Sequence, residues 1–173
     1  VIIVPPIKLE NEVVSSTLIR NAIINGNIEK ANKLLGRAFS ISGEVKGGRS
    51  MGRKLGFPTA NIYPENNHVL PKEGVYITRT LLDGRFYNSV TNIGSNPTFA
   101  ENNPISIETY ILDFHQDIYN KHIEVFFIKE IRGEKKFKNK DELMNQVRED
   151  INKAKEFFAL KLFSQHASPE NST

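Results

Sequence analysis

The chain has 173 residues, 23 basic against 20 acidic for a formal net charge of +3, and no cysteine. That length suits one domain, or one domain plus a fragment, and can bury a core without metal or disulfide staples. The lack of cysteine excludes disulfides, thiolate metal sites and cysteine nucleophiles. No apolar run approaches a membrane span, and the near-balanced charge argues against nucleic acid as a partner. The expected setting is soluble and cytoplasmic.

Val1-Ile2-Ile3-Val4 reads as a buried strand, broken at Pro5-Pro6. A short helix is expected after Ser15-Ser16-Thr17, with Leu18, Ile19, Ala22 and Ile23 on its apolar side and Gly26-Asn27 as its break. A second helix runs from about Ile28 to Leu35, with Gly36 placed to cap it. From Arg37 the pattern changes to strands. Phe39, Ile41 and Val45 mark one, and Gly74 to Leu82 another. Asp83-Gly84 is a hairpin signal, returning as Arg85 to Ile93. Ile105 to Phe114 and His122 to Ile131 are two more. Several strands with no interposed helices predict an antiparallel barrel or sandwich. Asn139 to about Phe163 reads as one long helix, with Leu143, Val147, Ile151, Ala154 and Phe158 on a single face. Asn139 and Glu142 have the spacing of a capping box. The polar end from Ala167 reads as frayed.

The segment from Gly48 to Asn61 has the densest chemical signal. Gly48, Gly52 and Gly56 alternate with Arg49, Arg53 and Lys54. Glycine lets backbone N–H groups approach a phosphate closely. The spacing is not that of a Walker A loop, since Arg53 stands where that motif has lysine. The loop therefore reads as a phosphate flap or as a plain hairpin. Pro58 forces an extended chain after it, so Thr59 and Asn61 point the same way. Their neutral oxygens suit Mg²⁺ that arrives with phosphate charge. Glu108 shares a strand face with Ser106, Tyr110, Leu112 and Phe114. Desolvation there would raise its pKa and favour general-base work; a solvent-facing glutamate is the other reading. Asn92 to Phe99 is a turn-rich loop that could line a pocket for a flat ligand or merely connect strands. Arg132, Lys135, Lys136, Lys138 and Lys140 form a second basic cluster. The four histidines lack metal-ligand spacing and read as structural or exposed.

These segments line up with one family. Gly48 to Asn61, Gly74-Val75-Tyr76, Asn92-Ile93-Gly94 with Pro97-Thr98-Phe99, Glu108 with Leu112-Asp113-Phe114, Asp117-Ile118-Tyr119 and Arg132 to Phe137 follow in order. Together they resemble the riboflavin kinase module of bacterial bifunctional riboflavin kinase/FMN adenylyltransferase (FAD synthetase) over roughly Arg37 to Phe158. Val14 to Arg20 resembles the signature that closes the adenylyltransferase domain. The resemblance implies residues 1–36 as a remnant of that domain, inactive without its nucleotide-binding half. It implies a riboflavin kinase domain over 37–163 (barrel 37–137, helix 139–163) and a flexible tail over 164–173. The implied fold is mainly β: a six-stranded antiparallel Greek-key barrel with a long C-terminal helix and a short helical N-terminal segment.

The implied reaction moves the ATP γ-phosphate to the ribityl 5′-hydroxyl of riboflavin, yielding FMN and ADP. Carried over by motif, Glu108 would be the catalytic base, and Thr59 and Asn61 would bind Mg²⁺ and the nucleotide phosphates. Gly48, Gly52, Arg53, Lys54 and Gly56 would cover those phosphates, with Arg132 and Phe99 on the flavin side. An adenylyltransferase domain is expected in the full-length protein. The alternatives are a flavin- or nucleotide-binding barrel without turnover, and part of an FAD-forming enzyme whose catalytic half is missing.

Overall fold

The computed structural model describes residues 5–47, 56–64, 68–95 and 105–166. The strand expected at Val1–Val4, the loop residues Gly48, Gly52, Arg53 and Lys54, and Phe99 lie outside them.

Two short strands, β1 (Lys8–Leu9) and β2 (Glu12–Val13), form a hairpin that the sequence reading did not anticipate. Its turn residues Glu10 and Asn11 have φ of 49° and 68°. Helices α1 (Ser16–Ile24) and α2 (Ile28–Leu35) follow where they were expected. Ser15 caps α1 by accepting from the Leu18 N–H, and the Asn27 side chain accepts from the Lys30 N–H. Gly36 ends α2 with φ of 68°, a left-handed conformation that glycine adopts without a Cβ penalty. Asn32 docks α2 on the sheet. Its Nδ2 donates to the Phe127 carbonyl at 2.8 Å, and its Oδ1 accepts from the Phe39 N–H at 2.7 Å.

Six strands make one antiparallel sheet: β3 (Phe39–Glu44), β4 (Ala60–Ile62), β5 (Gly74–Leu82), β6 (Arg85–Ser95), β7 (Ile105–Ile111) and β8 (His122–Gly133). Their spatial order is β3-β8-β5-β6-β7-β4, so β8 inserts between β3 and β5. The sheet curls until its edges meet: Lys46 bridges Asn61, donating its N–H to the Asn61 carbonyl at 2.9 Å. The six-stranded, mainly β expectation holds in that form. Strand β7 stops at Ile111, three residues before Phe114, because Asp113 takes φ of 53° and turns the chain.

Alternation sorts the strand residues into two layers. Ile41, Tyr76, Ile93, Ile107, Val125 and Phe127 fill the concave interior. A seam of buried hydroxyls crosses it: Thr80 donates to Ser89, Ser89 bonds Thr78, Thr78 bonds Thr91, and Thr91 bonds Thr109, all at 2.8–3.0 Å. On the convex face, Val75, Ile77, Val90 and Leu112 pack beneath α3 (Lys140–His166). The helix contributes Ile151, Ala154 and Phe158, with Val147 half-buried, which is the face its periodicity predicts. The Asn139 side chain accepts from the Glu142 N–H at 2.8 Å, while Glu142 reaches back to the Lys138 N–H rather than to that of Asn139. Helix α3 continues to His166, so residues 164–166, expected in the flexible tail, are helical.

Candidate active site

Strand β4 is three residues long and lies on the sheet edge. Ala60 points to the interior opposite Thr109, so Asn61 projects to the convex face. Asn61 is 6% exposed, and its Nδ2 donates to the Thr59 carbonyl at 3.2 Å. That bond leaves Oδ1 as the presented acceptor. Asn61 pairs directly with Glu108 on β7. Opposed residues of an antiparallel ladder project to the same face, with Cβ atoms about 5 Å apart. The Asn61 carboxamide and the Glu108 carboxylate therefore stand side by side. Glu108 is half-buried, and its Oε1 accepts from Ser106 Oγ at 3.4 Å.

The same row continues. Glu108 pairs with Asn92 on β6, Asn92 with Val75 on β5, and Val75 with Arg132 on β8. Val75 lies under α3. Arg132 is held by the helix: its Nη2 lies 2.9 Å from Asp150 Oδ2 and its Nε donates to both carboxylate oxygens. Asp150 is 2% exposed and also accepts from Gln146 Nε2. Asp150 was not singled out from the sequence. Its signal is a charge on the apolar stripe, three residues after Val147 and four before Ala154.

A cavity of about 340 Å³ opens at β4. Val45, Ile111, Phe114 and Ile118 supply apolar walls; His115 and Asp117 are among its polar lining. Asp117 accepts from the Tyr119 N–H, and the Asn120 N–H donates to the Val45 carbonyl, which fastens this wall to the end of β3. Thr59 and Asn61 line the cavity and Glu108 does not. Glu108 sits on the convex face, so β4 forms a rim between two compartments. The loop carrying the glycines leaves from Lys46, bridged to Asn61, and returns through Gly56 to Pro58 and Thr59, so both its ends lie at this rim. Gly56 is exposed with φ of 83°.

Among the described residues no three His, Cys, Asp or Glu side chains could together hold a metal. Thr59 and Asn61 are neutral oxygen donors, a set that fits a hard cation only when a substrate brings the negative charge.

A riboflavin kinase (flavokinase) family model matches residues 35–158. The bifunctional riboflavin kinase/FMN adenylyltransferase of Bacillus subtilis (strain 168) is 41% identical over 152 residues, which are 87% of this chain and 48% of the relative. That of Escherichia coli (strain K12) is 42% identical over 148 residues, 85% and 47% of the two chains. The chain thus spans about half the length of these curated relatives. Two solved structures share the fold. A Streptococcus pneumoniae protein described as a macrolide-efflux protein superposes with a TM-score of 0.82 at 36% identity, over 89% of this chain and 50% of its own. Riboflavin kinase from Trypanosoma brucei superposes with a TM-score of 0.50 at 21% identity, over 77% and 91%. The family is one of ATP-dependent phosphotransferases. This chain belongs to the riboflavin kinase family.

Among the described residues no helix is long and apolar enough to cross a membrane.

Proposed function

We propose that this chain transfers the γ-phosphoryl group of ATP to the terminal ribityl hydroxyl of riboflavin, giving FMN and ADP. The observation that carries the proposal is the pairing of Asn61 with Glu108 at the rim of a cavity. Phosphoryl transfer needs alignment, charge compensation and a group to orient the nucleophile. Asn61 Oδ1 and Thr59 would hold Mg²⁺, which when bound compensates phosphate charge. The cavity beside them would take the base and sugar of ATP, with the loop carrying Gly48, Gly52, Arg53, Lys54 and Gly56 over the phosphates. Glu108, beside Asn61 on the same face, accepts the hydroxyl proton. Phe99 and Arg132 belong to the flavin side in this reading; Arg132, tied to Asp150, acts there by holding α3 in place.

Residues 1–36 are read as the end of an adenylyltransferase unit, by analogy with the longer bifunctional relatives. The cytoplasm, where ATP is at hand, is the inferred setting.

The test is direct. The chain is incubated with riboflavin, ATP and Mg²⁺, and products are separated by chromatography. FMN and ADP should accumulate in equal amounts and stop when the divalent ion is chelated. Riboflavin binding without FMN would make the chain a flavin-binding barrel instead.

A further inference from the structure

Asn92 has no role in the site described so far. It occupies the interior of β6, a position where asparagine is disfavoured by strand propensity, and its side chain is solvent-exposed. Among the described residues its carboxamide makes no hydrogen bond. It lies directly opposite Glu108, on the side away from Asn61. The row therefore reads Asn61, Glu108, Asn92, with the carboxylate between two carboxamides.

That order sets a direction for the acceptor. The donor phosphates approach from the β4 side, where Thr59 and Asn61 border the cavity. Attacking and leaving oxygens sit roughly in line on opposite sides of the transferred group. The acceptor must then extend from Glu108 away from β4, over Asn92. Beyond Asn92 the row passes under α3 at Val75. An acceptor whose reacting hydroxyl is at Glu108 thus carries its next few atoms across the Asn92 amide. A carboxamide has both donor and acceptor atoms, and so does a hydroxyl.

The geometry points to Asn92 as a specificity-determining residue that hydrogen-bonds a second hydroxyl of the acceptor's polyol chain, selecting polyols over simple alcohols. This rests on the kinase reading above.

The experiment compares the wild-type chain with Asn92→Ala and Asn92→Ser, using riboflavin and a flavin whose side chain is an unbranched alkyl group with one terminal hydroxyl. For riboflavin, Asn92→Ala should lower kcat/KM about tenfold, mainly through KM, as expected for one neutral hydrogen bond. The KM for Mg·ATP should stay unchanged. For the mono-hydroxyl flavin, wild type and variant should have equal kcat/KM. Asn92→Ser, which keeps a donor and an acceptor without adding a charge opposite Glu108, should recover part of the riboflavin preference. Equal losses for both flavins would overturn the assignment and leave the kinase reading intact. A raised KM for Mg·ATP in both variants would overturn it too, since the substitution would then be acting through β6 packing. No FMN from the wild-type chain would overturn both.

Discussion

Glu108 and Asn61 are adjacent only because β4 pairs with β7 in one register. A slip of a single residue would send one of them to the opposite face. Their separate functions should be resolved by kinetics. Glu108→Gln keeps size and polarity but cannot take a proton, so kcat should fall by about 10²- to 10⁴-fold while the KM for Mg·ATP is retained. Asn61→Ala should raise the KM for Mg·ATP well above any change in that for riboflavin. Parallel losses in both Michaelis constants would signal damage to the sheet instead. The residue types were legible in the chain: a proline followed by alternating hydroxyl and amide, and one carboxylate on an alternating strand. That they stand side by side was not, because about 47 residues separate them and sequence alone sets no inter-strand register. Nor was the second compartment legible. Its walls come from the end of β3, β4, β7 and the segment after β7, brought together by the β4–β7 pairing, the bridge from Lys46 to Asn61 and the bonds of Val45.

Among the elements, α3 owes its orientation to two different forces. Apolar burial of Ile151, Ala154 and Phe158 seats it on the convex face. The Arg132–Asp150 pair then fixes its position along the end of β8. Asp150→Ala removes the buried partner of a partly buried guanidinium, and breaking such a pair costs about 3 kcal/mol. Urea titration should show that loss, with the midpoint lowered and the slope unchanged. An unchanged midpoint would mean the ion pair contributes nothing net. Periodicity announced the helix and its apolar face. It did not announce the ion pair, because a lone aspartate on an apolar stripe names no partner; Arg132 is supplied by a strand on the other side of the interface.

Over the whole molecule, the curled sheet buries polar groups that are satisfied by one another across neighbouring strands and by nearby backbone. Five hydroxyls bond one another across β5, β6 and β7. Tyr76 is fully buried, packs edge-on against Phe127 and donates its hydroxyl to the Lys72 carbonyl. Burial first, and the negative charge of Glu130 second, push the Tyr76 phenol well above its ordinary value. Because the folded pKa is raised, this stabilisation is fully present below the unfolded phenol value near 10 and is lost as pH climbs from there. Stability measured from pH 8 to 11 should therefore fall more steeply for wild type than for Tyr76→Phe. The phenylalanine variant should start about 1 kcal/mol lower at neutral pH, for the lost hydrogen bond. Parallel curves would mean Tyr76 does not ionise on unfolding in that range.

The chain by itself determined what depends on neighbours in sequence: α2 from Ile28 to Leu35 with its Gly36 cap, the Asp83-Gly84 hairpin, the amphipathic C-terminal helix and the chemical types at Thr59, Asn61 and Glu108. The tertiary structure alone decided which of those groups meet. Register, curvature and the insertion of β8 between β3 and β5 are settled by long-range pairing, whose energy lies in contacts no local stretch of residues contains.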